Sequence, residues 1–280
     1  MATKISTFAR IRPIPSKKRQ ASYSLSESTS SKSSKSSEIQ LHVPLESRQQ
    51  TSTNVETSYN FKFDKVFDQS TKQETIFQEL AIPNIESALN GYNSTIFAYG
   101  QTGSGKTFTI TGGAVSYKDR GIIPRTLEHI FQSQNESNEA NLSSASKSDL
   151  KVSISYIEIY NESGYDLLDE KHDRNPQKIK IGGLENFPKV QLMEDATGNI
   201  SLRNMSIHTA ASEEDALSLL FLGDTNRAIA ETPMNMASTR SHCIFTIYLQ
   251  RSSGEGGRVV KSKLEKRVEK VFFTCQLIGQ

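Results

Sequence analysis

Apolar positions recur along this chain in two periods, and the switch between them marks strands from helices. Lys4–Ile11 alternates apolar and polar residues as a half-buried strand does, and Phe61–Phe67 reads the same way. Thr95-Ile96-Phe97-Ala98-Tyr99 is a short β-branched and aromatic run suited to a buried strand, and Val152–Tyr160 and His242–Leu249 are further strands. Elsewhere the period lengthens. Thr71-Lys72-Gln73-Glu74 has the form of a capping box, opening a helix expected to bury Ile76, Phe77, Leu80, Ile85 and Leu89. Pro83 should kink that helix and Gly91 should close it. Ser212, followed by Glu213, Glu214 and Asp215, predicts the start of a helix burying Leu217, Leu220 and Phe221. Strand and helix in alternation predict an α/β fold, with a central mostly parallel or mixed sheet flanked by helices.

Two stretches break the pattern. Ten of the seventeen residues from Ala21 to Ser37 are serine, and Gln132–Asp149 is rich in Ser, Asn, Gln and Glu. Both are expected to be mobile surface insertions, the first reaching to about residue 57. The rest of the composition mainly excludes. A net charge of +2 over 280 residues offers no electrostatic case for nucleic acid. Two cysteines, Cys243 and Cys275, are too few for a disulfide framework and too far apart for a zinc site. Met1–Arg12 lacks a long apolar stretch, and no run approaches the length of a membrane span. The expectation is a reduced, soluble, intracellular protein.

Positive chemistry enters at Gly100-Gln101-Thr102-Gly103-Ser104-Gly105-Lys106-Thr107, which spells G-x-x-x-x-G-K-[ST] between the strand ending at Tyr99 and a helix starting at Lys106. Glycines allow backbone conformations that a Cβ forbids, so that successive N–H groups converge on one anion. A helix N-terminus adds partial positive charge. In that motif Lys106 reaches the β- and γ-phosphates and the Thr107 hydroxyl sits on Mg²⁺. The expected fold is that of the phosphate-loop NTPases, and the expected ligands are ATP or ADP with Mg²⁺.

Several separate motifs then make the chain resemble a kinesin motor domain. They are Ala9-Arg10-Ile11-Arg12-Pro13, Phe63-Asp64-Lys65-Val66-Phe67, Ile96-Phe97-Ala98-Tyr99 before the phosphate loop, and Gly121-Ile122-Ile123-Pro124-Arg125. Tyr156-Ile157-Glu158-Ile159-Tyr160-Asn161-Glu162 and Asn235-Met236-Ala237-Ser238-Thr239-Arg240-Ser241-His242 complete the set, in the family's order over about residues 4–264. Phe221-Leu222-Gly223-Asp224-Thr225-Asn226-Arg227 looks most like the subfamily numbered nine, associated with cilia and flagella. The resemblance implies that Arg10, Arg12 and Pro13 line an adenine pocket and that Phe108 stacks on the base. Without it, the arginines would read as a strand edge and Phe108 as a core ring. It also implies that Ser238 and Thr239 present hydroxyls near Mg²⁺ and the γ-phosphate, with Thr239 where the family usually has serine. Arg240 then pairs with a glutamate of the second switch.

After Lys261-Ser262-Lys263-Leu264 the family continues an apolar strand into Asp-Leu-Ala-Gly-Ser-Glu, whereas this chain reads Glu265-Lys266-Arg267-Val268-Glu269-Lys270 and ends at Gln280. Asp195-Ala196-Thr197-Gly198 is expected to be a polar turn between strands and not that switch. The expectation is therefore a motor domain over 1–264, lacking the second switch and at least one interior strand, followed by a divergent 265–280 tail. Arg258, Lys261, Lys263, Lys266, Arg267 and Lys270 read as a solvated helix or a disordered end. Part of a microtubule face maps near Glu194–Asn204, with Arg203 as the candidate contact to acidic tubulin and a solvated loop arginine as the alternative. The implied function is ATP-driven movement on microtubules in the cytoplasm and cytoskeleton, with cilium or flagellum indicated by the subfamily. A non-hydrolysing nucleotide- or tubulin-binding module and an inactive fragment are the alternatives.

Overall fold

A computed structural model describes residues 5–13, 22–29, 35–42, 58–113, 116–140, 148–169, 183–196, 198, 200–230, 241–253 and 259–268. They fall into two compact units, Met1–Lys72 and Gln73–Gln280.

The first unit opens with β1 (Phe8–Arg10). Within the serine-rich stretch that follows, β2 (Ser22–Thr29) and β3 (Lys35–His42) pair antiparallel, and β4 (Ser58–Phe63) adds to β3. Serine abundance hides a period of two. Tyr23 and Leu25 alternate with serines and stand opposite Leu41 and Ile39, giving the strands a register-setting apolar pair on one face. Residues 43–57 lie outside the described residues. The Phe61–Phe67 run is divided at Asp64, whose carboxylate accepts the Thr7 N–H at 2.8 Å. β5 (Lys65–Phe67) then pairs in parallel with β1, and Phe8 stacks on Phe67.

The second unit begins with α1 (Gln73–Ile76), a π-helical turn at Phe77–Ala81, and α2 (Ile82–Leu89). Thr71 does not form the expected capping box. Its hydroxyl donates to Asp68 at 3.0 Å, and Glu74 pairs with Arg125. The kink expected at Pro83 takes the form of the π turn, in which the Ile82 N–H reaches back to the Phe77 carbonyl. One extra residue per turn rotates the apolar stripe. Ala81, Ile85 and Ala88 become fully buried, while Leu80 and Leu89 are only half-buried. Gly91, at φ +92°, ends the helix as expected.

The remaining strands among the described residues are β6 (Ser94–Ala98), β7 (Ser148–Tyr160), β8 (Ser163–Asp166), β9 (Lys189–Glu194), β10 (Ile200–Arg203), β11 (His208–Ala210), β12 (His242–Ser253) and β13 (Val259–Val268). They form a mixed sheet in the order β10-β9-β8-β7-β12-β13-β6, with β11 on β7. Every pairing is antiparallel except β13 with β6, which is parallel. Hairpins account for two of these pairs, β7 with β8 and β9 with β10: Asn161 and Glu162, both at positive φ, make the tight turn from β7 to β8. The expected polar turn at Asp195–Gly198 joins β9 to β10, with the Gly198 N–H on the Asp195 carbonyl.

The described residues of this unit also include α3 (Lys106–Ile110), α4 (Ile122–Ala140) and α5 (Glu213–Ala230). In the stretch 132–149, α4 continues to Ala140 and β7 starts at Ser148. A helix anchored by buried Ile123, Leu127 and Ile130 propagates through a polar stretch without needing further apolar residues. Ser212 caps α5 as expected, accepting the Asp215 N–H at 3.1 Å. The buried stripe is Ala216, Leu220, Gly223, Asn226 and Ala230, whereas Leu217 is half-buried and Phe221 is 59% exposed.

The largest correction concerns β13. Lys261, Lys263, Lys266 and Arg267 sit in a strand between β12 and β6, so that interior position is filled. Leu264 lies opposite Ser94 and Val268 opposite Ala98. Charge argued for a solvated tail, but the ladder is made by main-chain groups, which pair regardless of side-chain charge. Arg258 and Lys270 lie outside the described residues. No described helix is long and apolar enough to cross a membrane.

Candidate phosphate-binding site

The loop starts where β6 leaves the sheet. Within that strand Ser94 and Ile96 are buried. Gly103 and Gly105 take φ of +78° and +100°, in the left-handed region where a side chain is strained. A Cβ on Gly100 would collide with the Ser104 hydroxyl. These three positions explain why the motif needs glycine where it has it. The Ser104 N–H turns back to the Gln101 carbonyl at 3.1 Å, and Gln101, Thr102 and Gly103 are exposed.

Lys106 is the one long side chain drawn inward. It is 6% exposed, and its Nζ donates to the Gly100 carbonyl at 2.8 Å and the Gln101 carbonyl at 2.7 Å. The ammonium thus lies against the inside of the loop. Thr107 follows with its residue exposed on the first turn of α3, and Phe108 is 40% exposed beside Gly113. These residues fit a polyphosphate. Two loop carbonyls hold a buried cation, and the next two residues, a threonine and a phenylalanine, are exposed.

Beyond α3 the chain forms a narrow hairpin, with Gly112 bridged to Arg120. Arg120 lies over the Tyr117 ring and bonds Glu128 of α4 at 3.0 Å. Tyr117 donates to the other oxygen of Glu128. Glu213, at the start of α5, stands 3.9 Å from Arg120, and its carboxyl is pushed up by burial and by Glu128.

Ser238, Thr239 and Arg240 lie outside the described residues, but both flanks of that segment are described. On the near side, α5 packs so closely that a Cβ on Gly223 would overlap the Tyr156 ring of β7. The Tyr156 hydroxyl donates to Asp224 at 2.7 Å, and Asn226 donates to the Leu167 carbonyl at 2.8 Å. Arg227 reaches Cys243 Sγ of β12, on the far side, at 3.3 Å. Burial pushes the Cys243 thiol up to about 12, with Glu158 adding to the rise, and burial also raises the Asp224 carboxyl. Ser241 and Cys243 are buried.

In the first unit, Arg10 ends β1 half-buried, and burial lowers its pKa; Arg12 and Pro13 are exposed. Arg203 closes β10 opposite Gln191, on a hairpin exposing Leu192, Met193 and Leu202. Sequence reading missed Gln73, Tyr156, Gly223 and Asp224 as structural polar or close-packing positions. Only Gln73 carried a signal, as a polar residue in line with Ile76 and Phe77 on the helix's buried face.

A glycine loop between a sheet strand and a helix, with a lysine drawn into it, defines the class of phosphate-loop NTPase folds. The kinesin motor domain family model matches residues 10–266. The chain is 39% identical over 215 residues to mouse kinesin-like protein KIF9, covering 77% of this chain and 25% of that protein. It is 33% identical over 251 residues to kinesin-like protein KLP1 of Chlamydomonas reinhardtii, covering 86% and 30%. Among solved structures it is similar to "Structure of a fast kinesin: Implications for ATPase mechanism and interactions with microtubules", with 30% identity, a TM-score of 0.70, and 94% of this chain and 64% of that one covered. The chain belongs to the kinesin motor domain family. It spans 25% and 30% of the length of these two curated relatives.

Proposed function

We propose that this chain is the nucleotide-binding part of a microtubule motor, taking up ATP with Mg²⁺ and coupling hydrolysis to movement along the filament. The observation that carries the reading is Lys106, buried inside a left-handed glycine loop at the end of a sheet strand. In this reading the amides of 103–107 and the Lys106 ammonium hold the β- and γ-phosphates. Thr107, with Thr239, holds the metal ion, which when bound neutralises phosphate charge. Arg10, Arg12, Pro13 and Phe108 take the base, Ser238 and Arg240 respond to the γ-phosphate, and Arg203 meets the acidic filament surface. The motor core runs over 1–264 in family pattern, and the site of action is the cytoskeleton, with the cilium or flagellum as the finer assignment.

A second reading is favoured by one observation. After Leu264 the family pattern continues an apolar strand into Asp-Leu-Ala-Gly-Ser-Glu, whereas this chain reads Glu265-Lys266-Arg267-Val268-Glu269-Lys270. Positioning and charge stabilisation dominate phosphoryl transfer, so a chain altered there would bind nucleotide or tubulin while turning over slowly. ATP turnover measured with and without microtubules decides between them. Filament-stimulated turnover supports the motor; magnesium-dependent binding with turnover unchanged by filaments supports the binding module.

A further inference from the structure

α3 has only five residues, so the carbonyls of its last turn depend on partners from outside the helix. Thr107 O accepts from the Thr111 and Gly112 N–H groups. Phe108 O is served from α1: Gln73, 5% exposed, donates through Nε2 to Phe108 O and to Asp119 O, the latter at 3.1 Å. Asp119 O also accepts the Gly113 N–H at 3.0 Å, and a Cβ on Gly113 would lie 3.3 Å from the Phe108 ring. One carboxamide therefore holds both the backbone that carries the ring and the hairpin strand behind the ring. A primary amide offers two donors from one nitrogen, and glutamate at the same length offers none.

We propose that Gln73 is a positioning residue that sets how the Phe108 ring is presented to the base of a bound nucleotide. The inference rests on the reading of this loop as a nucleotide site with Phe108 against the base. It predicts that losing the Gln73 donors weakens recognition of the base and leaves the phosphate cradle intact.

The test measures binding of magnesium ATP and of inorganic tripolyphosphate, which has no base, to the parent chain, Gln73→Glu, Gln73→Leu, Phe108→Ala and the Gln73→Leu/Phe108→Ala double variant. Gln73→Leu keeps the buried volume without a charge and gives the same reading should the glutamate prevent folding. The expected result is an ATP affinity about tenfold weaker in each Gln73 variant, with tripolyphosphate within about twofold of the parent. The double variant should be no weaker than Phe108→Ala alone. Equal losses for both ligands, or additive losses in the double variant, overturn the proposal. A Phe108→Ala variant that keeps the parent's ratio of ATP to tripolyphosphate affinity overturns the base-stacking reading itself, and the proposal with it.

Discussion

The phosphate loop and the seam between α5 and β7 both enclose a polar side chain, yet they are built from opposite kinds of information. In the loop, Lys106 is answered by carbonyls five and six residues earlier, and the glycines that permit this are its immediate neighbours. In the seam, Tyr156 is answered by Asp224, 68 residues away, and the glycine that admits its ring is on a different element. The loop's geometry is local and, on the proposed function, serves a ligand. The seam's geometry is tertiary and exists to fix α5 on the sheet. It follows that changes in the loop should act on binding with little effect on stability, and changes in the seam should act on stability first.

The largest expected effect is at Lys106. Replacing it with alanine removes a charged donor from the phosphates, and nucleotide affinity should fall by roughly thirtyfold to a hundredfold, about 2–3 kcal/mol, with the urea midpoint nearly unchanged. A binding constant within a few-fold of the parent would erase the distinction between the two regions. Gly223→Ala comes next, in the opposite currency. Its methyl has to displace the Tyr156 ring, at about 1–3 kcal/mol of stability by urea unfolding. An unchanged midpoint would show that the seam is not tightly packed.

Asp224 sharpens the comparison through pH. Burial raises its folded pKa above the ordinary value of 3.8, against a lowering by the Tyr156 hydrogen bond and Arg227. A carboxyl with a raised folded pKa stabilises the fold below its unfolded pKa, and that contribution is lost as pH rises through the folded value. Asp224→Asn keeps an acceptor for Tyr156 and should therefore gain stability relative to the parent from pH 4 towards pH 7. A relative loss over that window would mean that the Arg227 attraction outweighs burial.

The smallest effect belongs to the exposed hairpin of β9 and β10. Leu192→Ser and Arg203→Glu should each change stability by no more than about 0.5 kcal/mol. On the proposed function they weaken co-sedimentation with microtubules, and full retention in both variants would remove this hairpin from the filament face.

The same contrast explains what the sequence made legible. The phosphate loop, the Ser212 cap, the Gly91 stop and the polar turn at Asp195–Gly198 are local devices, and each lies where the pattern put it. Tyr23 and Leu25 went unread because serine abundance outweighed their alternation, though cross-strand pairing needed only those positions. Phe221 was assigned to the core by its hydrophobicity, but the stripe through Ala216, Leu220 and Gly223 turns it to solvent. β13 was read by charge, while its place is set by ladders on both sides. Gln73, Gly223 and Asp224 work through partners far along the chain, which no local window contains.

The central claim is tested most directly by calorimetric titration of magnesium ATP into the folded chain. The account predicts a saturable, magnesium-dependent site that is lost in Lys106→Ala. A folded chain that takes up no ATP at any magnesium concentration would contradict it.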